Sequence, residues 1–282
     1  MNETATIVAR VHEALRSLDL PDVVIALGGS LAKGNADALS DVDLYVFAAS
    51  FPDPHWLRQR LAAQLPEAGA FSAWGTPSEC GVDFVLDEQP VEIWFRRTDE
   101  VLAGVARALS GAVERGERVW TPNGFYRHTA LSDLSSMSVL ACDNAAFAAM
   151  LAEIRAYPEA LRQAVFAHGL EALDFWNGNL HLDTAIARQD RYYLESIYHQ
   201  VRTGLVQCAF AANRKYFGGD KKMQEALEQL GALPAGFMQA ILPEGTAADA
   251  SSAHWRGLFD RAFAMAGPLR QIYQQTDTDR RS

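Results

Sequence analysis

Residues 26–47 read ALGGSLAKGNADALSDVDLYVF and set two glycines, a serine and two aspartates between two apolar runs. Val23 to Leu27 is a compact, β-branched run that predicts a buried strand, and Asp41 to Phe47 alternates as a second one. A strand that ends in Gly-Gly-Ser lets backbone amides approach a phosphate, because glycine removes side-chain bulk and tolerates positive φ. The serine hydroxyl adds a donor. Gly-Gly after a strand is equally an ordinary turn, so this one gains meaning only from the aspartates downstream. Asp41 and Asp43 stand two apart, which puts both carboxylates on one side of a strand, about 6.6 Å apart at Cα. Carboxylates on an otherwise apolar strand are unfavourable unless a positive charge neutralises them, and hard oxygen donors suit Mg²⁺. The alternative is an Asp41 at the strand entry and an Asp43 in water.

The rest of the chain sets bounds. Its 282 residues, 49% apolar and 21% charged, have the composition of a soluble globular protein of two domains. With 35 acidic against 25 basic residues the net charge is -10, which disfavours binding driven by a nucleic-acid backbone or an anionic membrane. Cys80, Cys142 and Cys208 are scattered and odd in number, so they read as reduced packing residues and the expected compartment is the cytoplasm. The N-terminus carries no leader pattern, no apolar run is long enough to span a membrane, and the expected state is a monomer or a homodimer.

Ile7, Val11, Leu15 and Leu18 predict an amphipathic helix before the first strand, and Asp53-Pro54 predicts the start of another whose Leu57, Leu61 and Leu65 share a face. Val82 to Leu86 and Val91 to Phe95 predict a hairpin through Asp87, Glu88, Gln89 and Pro90. From about Leu131 the β signal fades, and three-and-four spacing predicts helices over 147–156, 160–176, 184–212, 222–230 and 254–266. Pro122-Asn123-Gly124 reads as a linker. The expectation is an α+β chain: a domain with a small mixed sheet over residues 1–120, and an all-α helical bundle over 125–282.

Gly29-Ser30, ten residues, then Asp41-Val42-Asp43 resembles the signature of the DNA polymerase β nucleotidyltransferase superfamily, with Lys33, Gly34 and Ser40 adding to the likeness. The resemblance covers roughly residues 20–100. It implies a Gly-Ser turn that holds the triphosphate of ATP or another NTP, with Lys33 and Ser40 beside it, and an Asp pair that holds two Mg²⁺ ions. It also implies a third carboxylate on a neighbouring strand. Two acids sit inside apolar runs there, Glu92 and Asp83. Glu92 is preferred as third metal ligand and general base, with Asp83 as the alternative.

In stand-alone small-molecule members, the aminoglycoside and lincosamide enzymes, a helical domain contacts the nucleotide. The segment Asn213 to Lys222 looks similar, which makes Tyr216, Lys221 and Lys222, with Arg202 upstream, candidate nucleotide contacts. A cationic acceptor calls for an acidic, aromatic pocket, for which Asp174, Trp176, Asp183, Asp190, Tyr193 and Glu195 are candidates. The resemblance thus implies Mg-dependent transfer of AMP from ATP to a hydroxyl of a small molecule, with an antibiotic as one candidate acceptor. Nucleotidylylation of a protein, or nucleotide binding without turnover, are the alternatives.

Overall fold

A computed structural model describes residues 3–37, 39–118, 121–242 and 251–278. The chain runs α1 (Glu3–Arg16), β1 (Val24–Leu27), α2 (Gly29–Lys33), β2 (Val42–Ala48), α3 (Pro54–Gln64), β3 (Gly69–Gly75), β4 (Glu79–Leu86) and β5 (Gln89–Arg97). Then come α4 (Thr98–Leu109), β6 (Arg115–Arg118), β7 (Thr121–Tyr126), α5 (Thr129–Ser136), β8 (Ser138–Cys142) and α6 (Ala145–Ile154). The remainder is helical: α7 (Glu159–Trp176), α8 (Leu180–Arg188), α9 (Arg191–Ala212), α10 (Met223–Glu228), α11 (Phe237–Ile241), α12 (Ser252–Ala264) and α13 (Ala266–Thr278). This is an α+β chain with an N-terminal, sheet-containing domain and a helical C-terminal region. It divides into two compact units, Met1–Ala106 with Ala130–Ala156, and Arg107–Thr129 with Tyr157–Ser282.

In the first unit the sheet order is β3-β4-β5-β2-β1-β8, with β2 and β5 parallel and every other pair antiparallel. Strand alternation sends Val42, Leu44, Val46, Val82, Val91, Ile93 and Phe95 into one core with Leu57 and Leu61 of α3 and Val11 and Leu15 of α1. Asp53 caps α3 by accepting from the amides of His55 at 3.0 Å and Trp56 at 3.1 Å. The β4–β5 turn is tighter than the four residues expected of it. Asp87 and Glu88 both take positive φ, 50° and 64°, in a two-residue turn, and Pro90 already pairs with Val85 near the strand start, where a missing amide is tolerated.

Two expectations from the sequence need correction here. The β signal does not end before Leu131, because Ser138–Cys142 pairs antiparallel with β1 and draws residues 130–156 to the sheet. Nor is Pro122-Asn123-Gly124 a linker. It lies within β7, which pairs with β6 in a two-stranded sheet of the second unit, so that unit is helical but carries a hairpin. Short strands with Gly, Pro and Arg lack the apolar alternation that betrays a strand to sequence reading.

The long periodic run over 184–212 is two helices: Gln189 turns left-handed at φ 55° and Asp190 caps α9. The second unit's centre is the α7–α9 crossing. There a Cβ placed on Gly204 would lie 2.3 Å from the carbonyl oxygen of Gly169, so only hydrogen fits. Fully buried Arg162 ties the neighbouring helix ends together through Ala211 O at 3.2 Å and Thr276 Oγ1 at 2.7 Å. Gly204→Ala is expected to destabilise the protein by about 2 kcal/mol, because the obstacle is backbone and the helices must move apart. A denaturation midpoint equal to wild type would show that the crossing is looser than it stands here.

Candidate active site

Asp41 precedes β2, Asp43 lies within it and Glu92 lies on β5, where the parallel register sets Asp43 beside Glu92. Because Val42, Leu44, Val91 and Ile93 face the core, the three acids share the opposite, partly buried face. One carboxylate oxygen from each lies within 4.8 Å of the others. Three like charges this close repel, and a divalent cation bound by oxygen relieves that repulsion. The donor set and its spacing therefore fit Mg²⁺. Asp41 is placed by the turn before it: Ser40 Oγ accepts from the Asp37 amide at 2.9 Å and donates to Asp37 Oδ1 at 3.1 Å. The Ser40 carbonyl accepts from Gln89 Nε2 at 2.7 Å, which pins the turn to β5.

The glycine turn meets the same acids. The Gly28 amide donates to Asp43 O at 2.8 Å, and Gly29 follows with φ 57°. A Cβ on Gly29 would fall 1.7 Å from Asp43 Oδ2, so turn and carboxylate are in direct contact. Ser30 Oγ is buried and has no hydrogen-bond partner among the described residues. A buried hydroxyl left so has hydrogen-bonding capacity that a water, an ion or a ligand group would satisfy. Lys33 Nζ is held by Asp133 Oδ1 at 2.8 Å.

Residues 8–68 match the family model of the nucleotidyltransferase domain. The matched span takes in the glycine turn, both aspartates and α3, and it supports nucleotidyl transfer as the general chemistry of this unit. Glu92 lies outside it. No curated protein sequence matches the chain. Among solved structures, a nucleotidyltransferase-like protein from Exiguobacterium sibiricum 255-15 is similar at 15% identity, covering 97% of this chain and 74% of that one, with a TM-score of 0.41. A likeness that weak assigns no fold.

Of the two acids offered as third carboxylate, Glu92 is the one within reach of Asp41 and Asp43. Asp83 stands opposite Glu92 on β4 and is engaged elsewhere, accepting from Trp74 Nε1 at 3.0 Å and Ser72 Oγ at 3.3 Å. Burial pushes its carboxyl above the usual range, against those two hydrogen bonds. Trp74 beside it, Trp94 against Trp74 and Arg96 over Trp94 are not singled out by the sequence pattern. What signal there is lies in Gly81, an isolated glycine in a strand, which marks a close approach; its absent Cβ would lie 2.3 Å from the Trp74 ring.

The C-terminal candidates all belong to the second unit. Arg202 lines a cavity of about 150 Å³ with Asp220, Asn123, Phe217 and Met223, and its Nη2 meets His199 Nδ1 at 3.2 Å. Burial first, then the Arg202 charge, lowers the His199 pKa, so this contact is to a neutral ring. Tyr216 stacks on Tyr157 at 4.7 Å, and burial pushes its phenol up to about 12. Lys221 is exposed, and Lys222 is the left-handed residue at the start of α10.

The acids expected to line an acceptor pocket are otherwise engaged. Asp174 pairs with Arg270 at 3.1 Å, Asp183 with Arg256 at 2.7 Å and Glu195 with Arg191 at 2.7 Å, while Asp190 caps α9. Trp176 Nε1 donates to Gln200 Oε1 at 2.9 Å, with the Tyr193 ring edge-on at 6.0 Å. Helix surfaces use such acids for ordinary ion pairs and caps, which composition alone does not distinguish from a binding site. No helix of the described residues is long and apolar enough to cross a membrane.

Proposed function

We propose that the protein transfers a nucleoside monophosphate, AMP from ATP, to a hydroxyl of a small acceptor and releases pyrophosphate. What carries this reading is the cluster of Asp41, Asp43 and Glu92 within 4.8 Å, in contact with a glycine turn whose Ser30 hydroxyl is buried and unpartnered among the described residues. Asp41, Asp43 and Glu92 would hold Mg²⁺, two ions by the resemblance, which neutralise the phosphate charge and polarise the reacting groups. The turn amides and Ser30 Oγ hold the phosphates. Glu92 takes the proton of the acceptor hydroxyl, whose oxygen bonds to the α-phosphorus as the bond to the β-phosphate oxygen breaks. The nucleotide contacts expected of Lys33, Arg202, Tyr216, Lys221 and Lys222 belong to the same proposal, as does a cytoplasmic setting.

The test is label transfer. The protein is incubated with each labelled NTP and Mg²⁺, with and without aminoglycosides, lincosamides and simple polyols, and pyrophosphate is followed. Label on a small molecule supports the reading, label on a protein band favours a protein acceptor, and Mg-dependent nucleotide binding without pyrophosphate release favours a regulatory module. Glu92→Gln keeps the side-chain shape and removes the base, so kcat is expected to fall about 10²-fold. An unchanged kcat would remove Glu92 from the chemistry.

A further inference from the structure

The acids sit in the middle of the sheet, and its two flanks differ. The glycine turn comes after β1 on one flank, while β5, β4 and β3 form the other. In an in-line displacement the attacking and leaving oxygens lie on opposite sides of the phosphorus. With the departing phosphates on the glycine flank, the acceptor must enter over β5 and β4. This step rests on the function proposed above.

That flank carries an ordered array on the same face as Glu92. In one row across the strands stand Glu92, Asp83 and Ser72; in the next stand Trp94, Gly81 and Trp74. Trp74 lies over Gly81, donates to Asp83 Oδ2 at 3.0 Å and meets Trp94 edge to face at 4.5 Å. Arg96 lies over Trp94 at 4.9 Å and is fixed in turn by Glu79 at 2.9 Å. Each side chain is therefore held by the next, which is what a recognition surface needs to discriminate. Asp83, Trp74 and Trp94 are partly buried rather than sealed. An ionised carboxylate offers about four acceptor positions; Trp74 Nε1, shared between both oxygens, and Ser72 occupy part of that capacity and leave the rest for a ligand.

We propose that Asp83, with Trp74 and Trp94 as its apolar wall, is the specificity-determining group for the acceptor. It reads a hydrogen-bond donor, a protonated amine or a hydroxyl, close to the hydroxyl that Glu92 deprotonates. Opposed side chains on neighbouring strands start about 5 Å apart, the span between two substituents of one small ring. The acceptor class is thus a saturated ring carrying a second donor, laid against the tryptophan wall.

Binding tests this without turnover. Calorimetry or ligand-observed NMR measures glucosamine and glucose against the full chain in Mg²⁺ and a non-hydrolysable ATP analogue. At least one sugar is expected to bind, at least tenfold more weakly to Asp83→Asn, and the preferred sugar tells amine from hydroxyl. Trp74→Phe keeps an aromatic wall but removes the donor to Asp83, and is expected to weaken binding severalfold; thermal unfolding checks that both variants fold. Failure of both sugars to bind, or equal binding by folded Asp83→Asn, overturns the assignment. The ATP analogue is titrated in the same samples. If it binds with Mg²⁺ while the sugar result is negative, only this inference falls; if it does not bind wild type at all, the proposed function falls with it.

Discussion

Asp43→Asn is expected to lower nucleotidyl transfer at least 10³-fold while leaving the metal-free protein as stable as wild type or more so. The two halves of the result have one cause. Asp43 is central to the site, aligned with Glu92 across β2 and β5 and touched by the Gly29 backbone. Removing its charge weakens the metal site at the point where the turn meets the carboxylates. In the absence of metal, however, that charge is a liability. Two carboxylates within 4.8 Å of each other repel by about 3 kcal/mol or more at an effective dielectric near 20, and partial exposure leaves a fraction of it. Asparagine keeps the shape and lifts the repulsion. Wild type should therefore gain melting temperature on adding Mg²⁺, by mass action on the folded state, and the variant should not. Circular dichroism melts with and without Mg²⁺, alongside pyrophosphate release, make the check. Wild-type turnover in the variant would dissolve the metal-site assignment, whereas equal Mg²⁺ stabilisation of both proteins would place the ion elsewhere.

The sequence showed some of this plainly and hid the rest for physical reasons. Asp53-Pro54 announced α3 because capping is local chemistry, and β1 and β2 were plain because a buried strand must be apolar on its core side. Ser138–Cys142 was illegible because β8 is an edge strand: among the described residues it pairs with β1 alone, its alternation is incomplete and Ser138, Val139 and Cys142 stay exposed. The 107–129 segment misled in the opposite way, since glycine and proline in a short hairpin look like a break.

The site divided along the same line. Asp41 and Asp43 were recognisable from spacing within one strand, and Glu92 from the oddity of an acid in an apolar run. The choice between Glu92 and Asp83 was not available from spacing, because both lie on the same face of one hairpin and the sequence does not say which strand sits against β2. Pairing separates the two by distance: β5, not β4, runs parallel to β2, so Glu92 stands one strand from Asp43 and Asp83 two. Of the acids on α7 to α9, Asp183 and Asp174 pair with Arg256 and Arg270, which are remote in sequence, whereas Glu195 pairs with Arg191 one turn away and Asp190 caps its own helix.

Gly29→Ala is expected to cost at least 10²-fold in transfer and at least tenfold in affinity for Mn²⁺ used as a Mg²⁺ probe, with a loss of stability of only about 1–2 kcal/mol. The backbone at Gly29 has φ 57°, which alanine adopts at a cost of about 1 kcal/mol. That strain alone would not reach the chemistry. The added methyl, however, would stand 1.7 Å from Asp43 Oδ2, so the carboxylate has to swing away or the turn has to lift. Either movement opens the acid cluster. Gly34 separates the two effects. It is also left-handed, at φ 72°, but nothing among the described residues lies within 4 Å of a Cβ built on it. Gly34→Ala should therefore carry the same backbone strain, seen as a similar drop in melting temperature, and keep Mn²⁺ affinity and most of its transfer rate. Equal loss of Mn²⁺ affinity in both variants would mean that the turn acts through rigidity rather than through its contact with Asp43. Loss confined to Gly29→Ala assigns the glycine to the space its missing side chain leaves for a metal ligand.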